Sequence, residues 1–170
     1  MLAVPSFAQT AKTTPPPATL RSILLAQLHS VHDKQEWFVP VNNALAGLTP
    51  EQARAVPAPG AHSVGMLANH LLLWNTDSLM RFNGETPKEV TNNDETFNSF
   101  DAASWPQTVA KLDAVLTAWE QAVTTADDAK LTKWAPTISH VATHNAYHVG
   151  QILYARKLLG TWDADKGVKL

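Results

Sequence analysis

Seven histidines distinguish this chain of 170 residues, and three of them, His140, His144 and His148, recur at intervals of four. Residues four apart project from the same face of an α-helix. Two imidazoles placed in this way can bind one metal ion, in a geometry that recurs in zinc proteins. The alternative is a set of hydrogen-bonded residues at a helix edge, since Asn145 stands where the HExxH metalloprotease motif has its glutamate.

A third histidine can reach this pair from another helix. A rotation of about 100° per residue places His144 and His148 at the flank of the apolar face of their segment, with His140 further toward solvent. The same rotation places His70 on the corresponding flank of an earlier segment. Packing the two helices at bundle distances would bring His70, His144 and His148 together near the mouth of a bundle.

Three neutral imidazoles that leave one position open suit Zn²⁺, Ni²⁺ or Fe²⁺. The chain contains no cysteine, which excludes disulfides, thiolate ligands, iron–sulfur clusters and a cysteine nucleophile. A cation at this place would activate water or hold a substrate thiol as its thiolate. The sequence does not choose between these two reactions.

Three further polar residues are candidates to support a site. Gln151, one turn after His148, is placed to hydrogen-bond a ligand or to orient His144, or it only solvates the bundle edge. Asp77, seven residues after His70, is a candidate fourth ligand, a base, or an exposed charge. His32 in the first segment is a candidate pocket-lining residue.

Amphipathic periodicity marks the elements that must position these residues, because apolar side chains recur every three or four positions in four segments. The segments cover residues 20–45, 63–82, 105–123 and 136–159. We expect Pro40 to kink the first of them near its end. Four such helices predict an all-α four-helix bundle. The polar connection 85–103 exceeds ordinary helix–helix loops of about 2–8 residues, so the second and third helices can run parallel.

Composition narrows the class of protein. The formal charge is −2, only 16% of the residues are charged, and no apolar run approaches the roughly 20 residues of a membrane helix. These features argue against nucleic acid or an anionic membrane as the main partner. The length predicts one domain, over residues 20–162, followed by a C-terminal tail at 163–170.

The first nineteen residues read as a disordered segment rich in threonine, proline and alanine. Ser6, Phe7 and Ala8 place small residues at −3 and −1 of a signal-peptidase site, but the basic and long apolar regions of a signal peptide are missing. Two interpretations follow: a signal-peptide remnant, which predicts an exported or periplasmic protein, or a flexible terminus of a cytoplasmic one.

The helical segments also resemble a known family. The stretch HNAYHVGQI at 144–152, followed by RKLLGTW at 156–162, looks like the fourth helix of the DinB-like (damage-inducible) superfamily. The stretch SVGMLANH at 63–70 resembles the start of that family's second helix, and GLTPEQA at 47–53 resembles its exit from helix one. The resemblance spans about residues 20–162.

This resemblance implies an up-down-down-up order of the four helices, which agrees with the long second connection. It also implies a divalent metal, commonly nickel or zinc, held by one histidine of helix two and two of helix four. Those positions correspond to His70, His144 and His148. Many members resemble homodimers, and relatives include thiol-dependent S-transferases and a maleylpyruvate isomerase that use small thiols.

Three classes of function remain open at this point. The first is a metal-dependent enzyme acting on a small molecule, either a hydrolase or a thiol transferase. The second is a metal-binding or stress-response protein without turnover, and the third is a purely structural bundle. Low-molecular-weight thiols carry carboxylates, so a thiol transferase predicts a basic rim near the metal. Such thiols are also mainly cytoplasmic, so export would weaken that branch.

Overall fold

The computed structural model describes residues 17–168, and the expectation for Ser6, Phe7 and Ala8 falls outside this range. Within the described residues the secondary structure is helical, without strands, which confirms the all-α class. Short 3-10 turns at Ala102–Ser104 and Ala164–Lys166 accompany the α-helices. The α-helices are α1 Leu20–His32, α2 Val41–Leu45, α3 Pro50–Arg54, α4 Val64–Phe82, α5 Glu95–Asn98, α6 Trp105–Thr125 and α7 Asp128–Leu158.

Four long helices, α1, α4, α6 and α7, form the bundle, in which α1 and α4 each pack against both α6 and α7. Helices α1 and α6 run in opposite directions. The Arg21 guanidinium near the start of α1 donates to the carbonyl of Val123 near the end of α6, and His32 at the end of α1 contacts Asp113 in the first half of α6.

Helices α1 and α7 run in the same direction. Arg21 forms an ion pair with Asp128 at the start of α7, at 3.0 Å, and Gln27, further along α1, accepts a hydrogen bond from Ser139, further along α7. Helix α4 runs opposite to α7, because Asn75 and Asn145 bond each other and the start of α4 lies beside the end of α7. None of the helices in the described part of the chain is long and apolar enough to cross a membrane.

The apolar stripes of the four helices meet in two clusters that hold α4 and α7 in place. The larger cluster joins α4, α6 and the second half of α7 to the short helices α2 and α3, and the smaller joins α1, α6 and the first half of α7. Burying one leucine or isoleucine side chain contributes roughly 1.5–3 kcal/mol. The most completely buried large side chains are Leu24, Leu28, Leu71, Leu112, Leu116, Trp119, Leu131, Ile138 and Ile152.

The first predicted helix is shorter than the sequence indicated. Helix α1 ends at His32, and the chain is irregular until α2 begins at Val41. Proline disfavours helical backbone in the residue before it, so Pro40 blocks the helix from its C-terminal side. Residues 33–37 are all exposed, so a helix there would gain little apolar burial.

The fourth predicted helix is longer than the sequence indicated. It begins at Asp128 rather than at Pro136, and the Asp127 side chain caps it by accepting from the Lys130 amide. The predicted segment starts at Pro136. This proline lies within the helix instead, on an exposed position, while Leu131 and Ile138 are buried on the inner face. That burial offsets the one backbone hydrogen bond that proline removes.

The connection between α4 and α6 is more structured than its composition suggested. It contains α5 and a 3-10 turn, and α5 packs along α4. A side chain at position 65 would collide with the ring of Phe100, so Gly65 is the residue that lets this connection approach the first turn of α4. The connection therefore supplies side chains to the α4 surface rather than only spanning the bundle.

His32 is buried within an ionic network between α1 and α6, away from the other candidate residues. Its Nδ1 lies 2.7 Å from Glu120 and its Nε2 lies 2.9 Å from Asp113. Burial lowers the pKa of His32, but the hydrogen bonds to the two carboxylates outweigh it, with help from Asp33, so that the pKa is raised. His29 also faces Glu120, at 3.6 Å. His32 therefore bridges two carboxylates of α6 and does not line a pocket.

This network predicts how stability depends on pH. Because the folded pKa of His32 lies above its unfolded value of about 6.5, its contribution is complete below that pH and is lost as the pH rises through the folded pKa. The free energy of unfolding from urea titrations should therefore fall as the pH rises above about 6.5, and His32→Gln should remove most of that fall. His140→Gln, at an exposed site, is the control and should keep it. An equal fall in wild type and His32→Gln would contradict the assignment.

Candidate metal centre

Helices α4 and α7 bring the three predicted imidazoles together. The Nε2 atom of His144 lies 3.1 Å from Nε2 of His70 and 3.1 Å from Nε2 of His148. Nitrogen ligands bound about 2.0–2.1 Å from one ion lie roughly 3–3.5 Å apart. The three residues thus form a group that could hold a metal ion, with His70 and His148 buried and His144 half-buried.

Thr96 fixes the orientation of the His70 ring. The Thr96 hydroxyl donates its proton to the carbonyl of Asn93, at 2.6 Å, so its oxygen is left to accept from His70. That acceptor lies 2.6 Å from Nδ1 of His70. The His70 proton therefore belongs on Nδ1, and the lone pair of Nε2 faces the other two histidines.

Gln151 does the same for His148. Its amide nitrogen donates to the hydroxyl of Tyr147, at 3.1 Å, and its amide oxygen lies 2.6 Å from Nδ1 of His148. The oxygen accepts the Nδ1 proton, so the Nε2 lone pair of His148 also faces the centre. Gln151 thus contacts His148, one turn away, and not His144. Tyr147 is largely exposed, and its hydroxyl accepts the hydrogen bond from this glutamine.

The surroundings favour neutral imidazoles, which is the form that binds metals. Burial, followed by the nearby rings of His148, His144 and His62, lowers the pKa of His70 to about 3. Burial and the nearby His148 ring lower the pKa of His144 to about 4. The pKa of His148 is also lowered by burial, against the opposing effect of Gln151. All three rings are therefore uncharged at neutral pH.

An aromatic stack covers one side of the centre. The ring of Phe97 in α5 lies parallel to His70, with centroids 3.9 Å apart, and parallel to His62, with centroids 4.0 Å apart. Two rings stacked this closely on one phenyl ring must lie on its opposite faces. The sequence patterns do not identify Thr96, Phe97 or His62, because all three lie outside the periodic segments.

Asp77 does not join the histidine group. It is buried rather than exposed, and its carboxylate forms an ion pair with Arg81 one turn later, at 2.8 Å. Arg81 occupies both carboxylate oxygens. His140 is exposed, as its helical angle predicted.

Two cavities flank the centre along the groove between α4 and α7. The first, called here the His62 cavity, has a volume of about 440 Å³. The second, called here the Trp74 cavity, has a volume of about 280 Å³. The His62 cavity is lined by Pro57, Ala58, Gly60, Ala61, His62, Leu67, Gln151, Tyr154, Ala155 and Leu158, and the Trp74 cavity by Trp74, Asn75, Ser78, Thr137, His140, Val141 and His144.

The fold and the histidine group together define an all-α helical bundle with a candidate three-histidine metal centre. The family model of the DinB superfamily matches residues 41–152, which is well over half of the chain and includes all three histidines. The chain therefore belongs to the DinB superfamily, and the resemblance seen in its sequence is confirmed. No match to the chain was found among curated proteins or among solved structures.

A buried amide pair sets the register of α4 against α7 beside the centre. The side-chain amides of Asn75 and Asn145 donate to each other, at 2.8 Å and 3.1 Å, and both residues are almost completely buried. The amide of Asn75 also donates to the carbonyl of Leu71, at 2.7 Å. Asn145 directly follows His144, so this pairing places the α7 histidines opposite His70.

Removing one half of this pair should be costly. Asn75→Ala leaves the Asn145 amide buried without its partner, and we expect a loss of about 1–3 kcal/mol in the free energy of unfolding. The double variant Asn75→Leu/Asn145→Leu should lose less than the sum of the two single leucine variants, because it leaves no side-chain amide unpaired. Urea titration of wild type and the four variants measures both effects. Additive losses would show that the two side chains do not depend on each other.

Proposed function

We propose that this protein is a divalent-metal-dependent enzyme of the hydrolase type, with His70, His144 and His148 as the ligands of the ion. The observation that carries the proposal is the placement of two protons. Thr96 and Gln151 hold the protons of His70 and His148 on Nδ1, which leaves both Nε2 lone pairs directed at the third histidine. Outer hydrogen bonds of this kind orient ligating histidines in metal sites.

The three histidine nitrogens fit a divalent ion of intermediate softness. Three uncharged nitrogen donors suit zinc or nickel, with Fe²⁺ as a further candidate. The resemblance to the DinB superfamily favours nickel or zinc among these. When bound, such an ion supplies Lewis acidity that polarises an electrophile and activates water. The chain's own residues orient the three imidazoles and keep them uncharged, as binding of the ion requires.

The flanking cavities support an enzyme rather than a metal-storage protein. His144 lines the Trp74 cavity, and Gln151, which is bonded to His148, lines the His62 cavity. Cavities of about 300–1,000 Å³ are typical of small-molecule sites, and the His62 cavity falls within that range. A site that only stored a metal would gain nothing from space on both sides.

The lining of these cavities favours water over a thiol as the activated group. A transferase that uses glutathione, mycothiol or bacillithiol needs cations to bind the carboxylates of its thiol. Among the described residues, neither flanking cavity is lined by lysine or arginine, and Lys88, which lines a further cavity beside Thr96, shares it with Asp77, Glu89 and Glu95. Arg156, in the last turn of α7, is buried and donates to the carbonyls of Ala44 and Thr161.

Metal content tests the ligand assignment directly. Protein purified without added metal should contain about one divalent ion per chain, and His148→Ala should lose most of it because two nitrogen ligands hold an ion far less tightly than three. His140→Ala is the matched control, since it removes an exposed histidine from the same helix. Elemental analysis and titration with Zn²⁺ and Ni²⁺ measure the effect. Equal metal content in all three proteins would refute the assignment.

Turnover tests the reaction. We expect slow hydrolysis of an uncharged activated ester such as 4-nitrophenyl butyrate, which ceases on chelation and returns when Zn²⁺ or Ni²⁺ is restored. His148→Ala should lose this activity, and His140→Ala should keep it. A hydrolysis rate that survives both chelation and the loss of His148 would place the activity elsewhere on the protein.

The Thr96 hydroxyl provides a finer test of the proton placement. Thr96→Val removes the acceptor of the His70 Nδ1 proton at almost constant volume, and we expect metal affinity to fall by about 10–100-fold. Thr96→Ser keeps the hydroxyl and should restore most of the affinity. Calorimetric titration of the three proteins measures the change. Equal affinity in Thr96→Val and wild type would show that the hydroxyl does not orient the ligand.

A further inference from the structure

The histidine centre lies at the junction of the two cavities described above. On one side, His144 itself forms part of the wall of the Trp74 cavity. On the other, the wall of the His62 cavity includes Gln151, which is bonded to His148, and His62, whose ring is separated from His70 by Phe97. A molecule that reaches the centre can therefore extend into both cavities.

The lining of both cavities carries no formal charge. Among the residues that the structure describes there, none is aspartate, glutamate, lysine or arginine. A charged group entering such a cavity would lose its hydration without gaining an ionic partner, which is costly. An uncharged group would not meet this penalty, so the cavity walls select against charge.

The two cavities differ in size. The larger His62 cavity is walled mainly by alanine, leucine and proline side chains, with His62, Gln151 and Tyr154 as its polar residues. The smaller Trp74 cavity includes Ser78 and Thr137 among its residues, and its lining is also mainly apolar. The larger cavity therefore fits a larger apolar group, and the smaller one fits a shorter apolar group.

We propose that the substrate is an uncharged ester or amide whose larger apolar part occupies the His62 cavity and whose smaller part occupies the Trp74 cavity. The bond between the two parts then lies beside His70, His144 and His148. This inference rests on the proposed hydrolase function and specifies its substrate class.

Hydrolysis of such a molecule joins the oxygen of water to the carbonyl carbon and breaks the bond to the leaving oxygen or nitrogen. One proton of water passes to the leaving group, and the acid product releases the other to solvent. The product carboxylate is charged, so the uncharged His62 cavity would disfavour it and promote its release.

Binding to the metal-free protein tests the cavity without relying on catalysis. Chelator-treated protein labelled with ¹⁵N would be titrated with benzamide, benzoate and benzamidinium, three probes of nearly equal shape that differ in charge. Amide signals of Gly60 and His62 and the side-chain amide of Gln151 report on the His62 cavity. We expect benzamide to shift these signals, and the two ions to bind at least about tenfold more weakly.

A longer probe tests the second cavity. N-butylbenzamide should also shift the amide signals of Ser78 and Thr137, because its alkyl group continues past the centre into the Trp74 cavity. Ala61→Trp fills the His62 cavity and should abolish the shifts from both amides. Ala114→Trp, which adds the same ring at an exposed position of α6, is the control and should leave them unchanged.

The outcomes separate this inference from the proposed function. Failure of benzamide to shift the cavity signals at millimolar concentration would overturn the substrate assignment, even if the protein binds metal. Equal or tighter binding of benzoate or benzamidinium would overturn it too, as would an N-butylbenzamide titration that leaves Ser78 and Thr137 unmoved. Selective benzamide binding by a protein that neither contains metal as purified nor takes up added Zn²⁺ or Ni²⁺ would support the cavity assignment and refute the metal centre instead.

Discussion

Hydrogen bonds from the Nδ1 atoms of His70 and His148 decide which nitrogen of each ring faces the centre. Thr96 has committed its only hydroxyl proton to Asn93, and Gln151 turns its amide oxygen to His148 while its amide nitrogen donates to Tyr147. Each oxygen can therefore only accept a hydrogen bond from Nδ1, and the tautomer of each ring follows. Were either proton on Nε2 instead, that nitrogen would present a donor rather than a lone pair to its neighbours.

Burial of the histidines in the bundle has two consequences for this arrangement. Burial drives the imidazoles toward their uncharged form, which keeps their lone pairs free at neutral pH. The same burial demands that every polar atom has a partner, and the Asn75–Asn145 amide pair meets that demand while it fixes how α4 lies along α7. The packed interface between α4 and α7 therefore keeps the imidazoles uncharged and also fixes how the two helices are aligned.

The sequence predicted the features that follow from helical periodicity. The interval between His144 and His148, and the position of His70 at the edge of an apolar stripe, depend only on the geometry of a helix. Thr96 and Phe97 could not be found in this way, because they lie in a connection whose conformation depends on its docking against α4. The start of α7 was misplaced for a related reason, since burial of Leu131 outweighs the local preference of Pro136.

Phe97 couples the histidine centre to the position of the segment that contains α5. Its ring is enclosed between His62, which precedes α4, and His70 within α4, while its neighbour Thr96 bonds the same His70. The segment that carries both residues cannot swing away from α4 without releasing the ring and the hydroxyl together. If the proposed ion binds only the docked form of this segment, ion binding and docking would each stabilise the other.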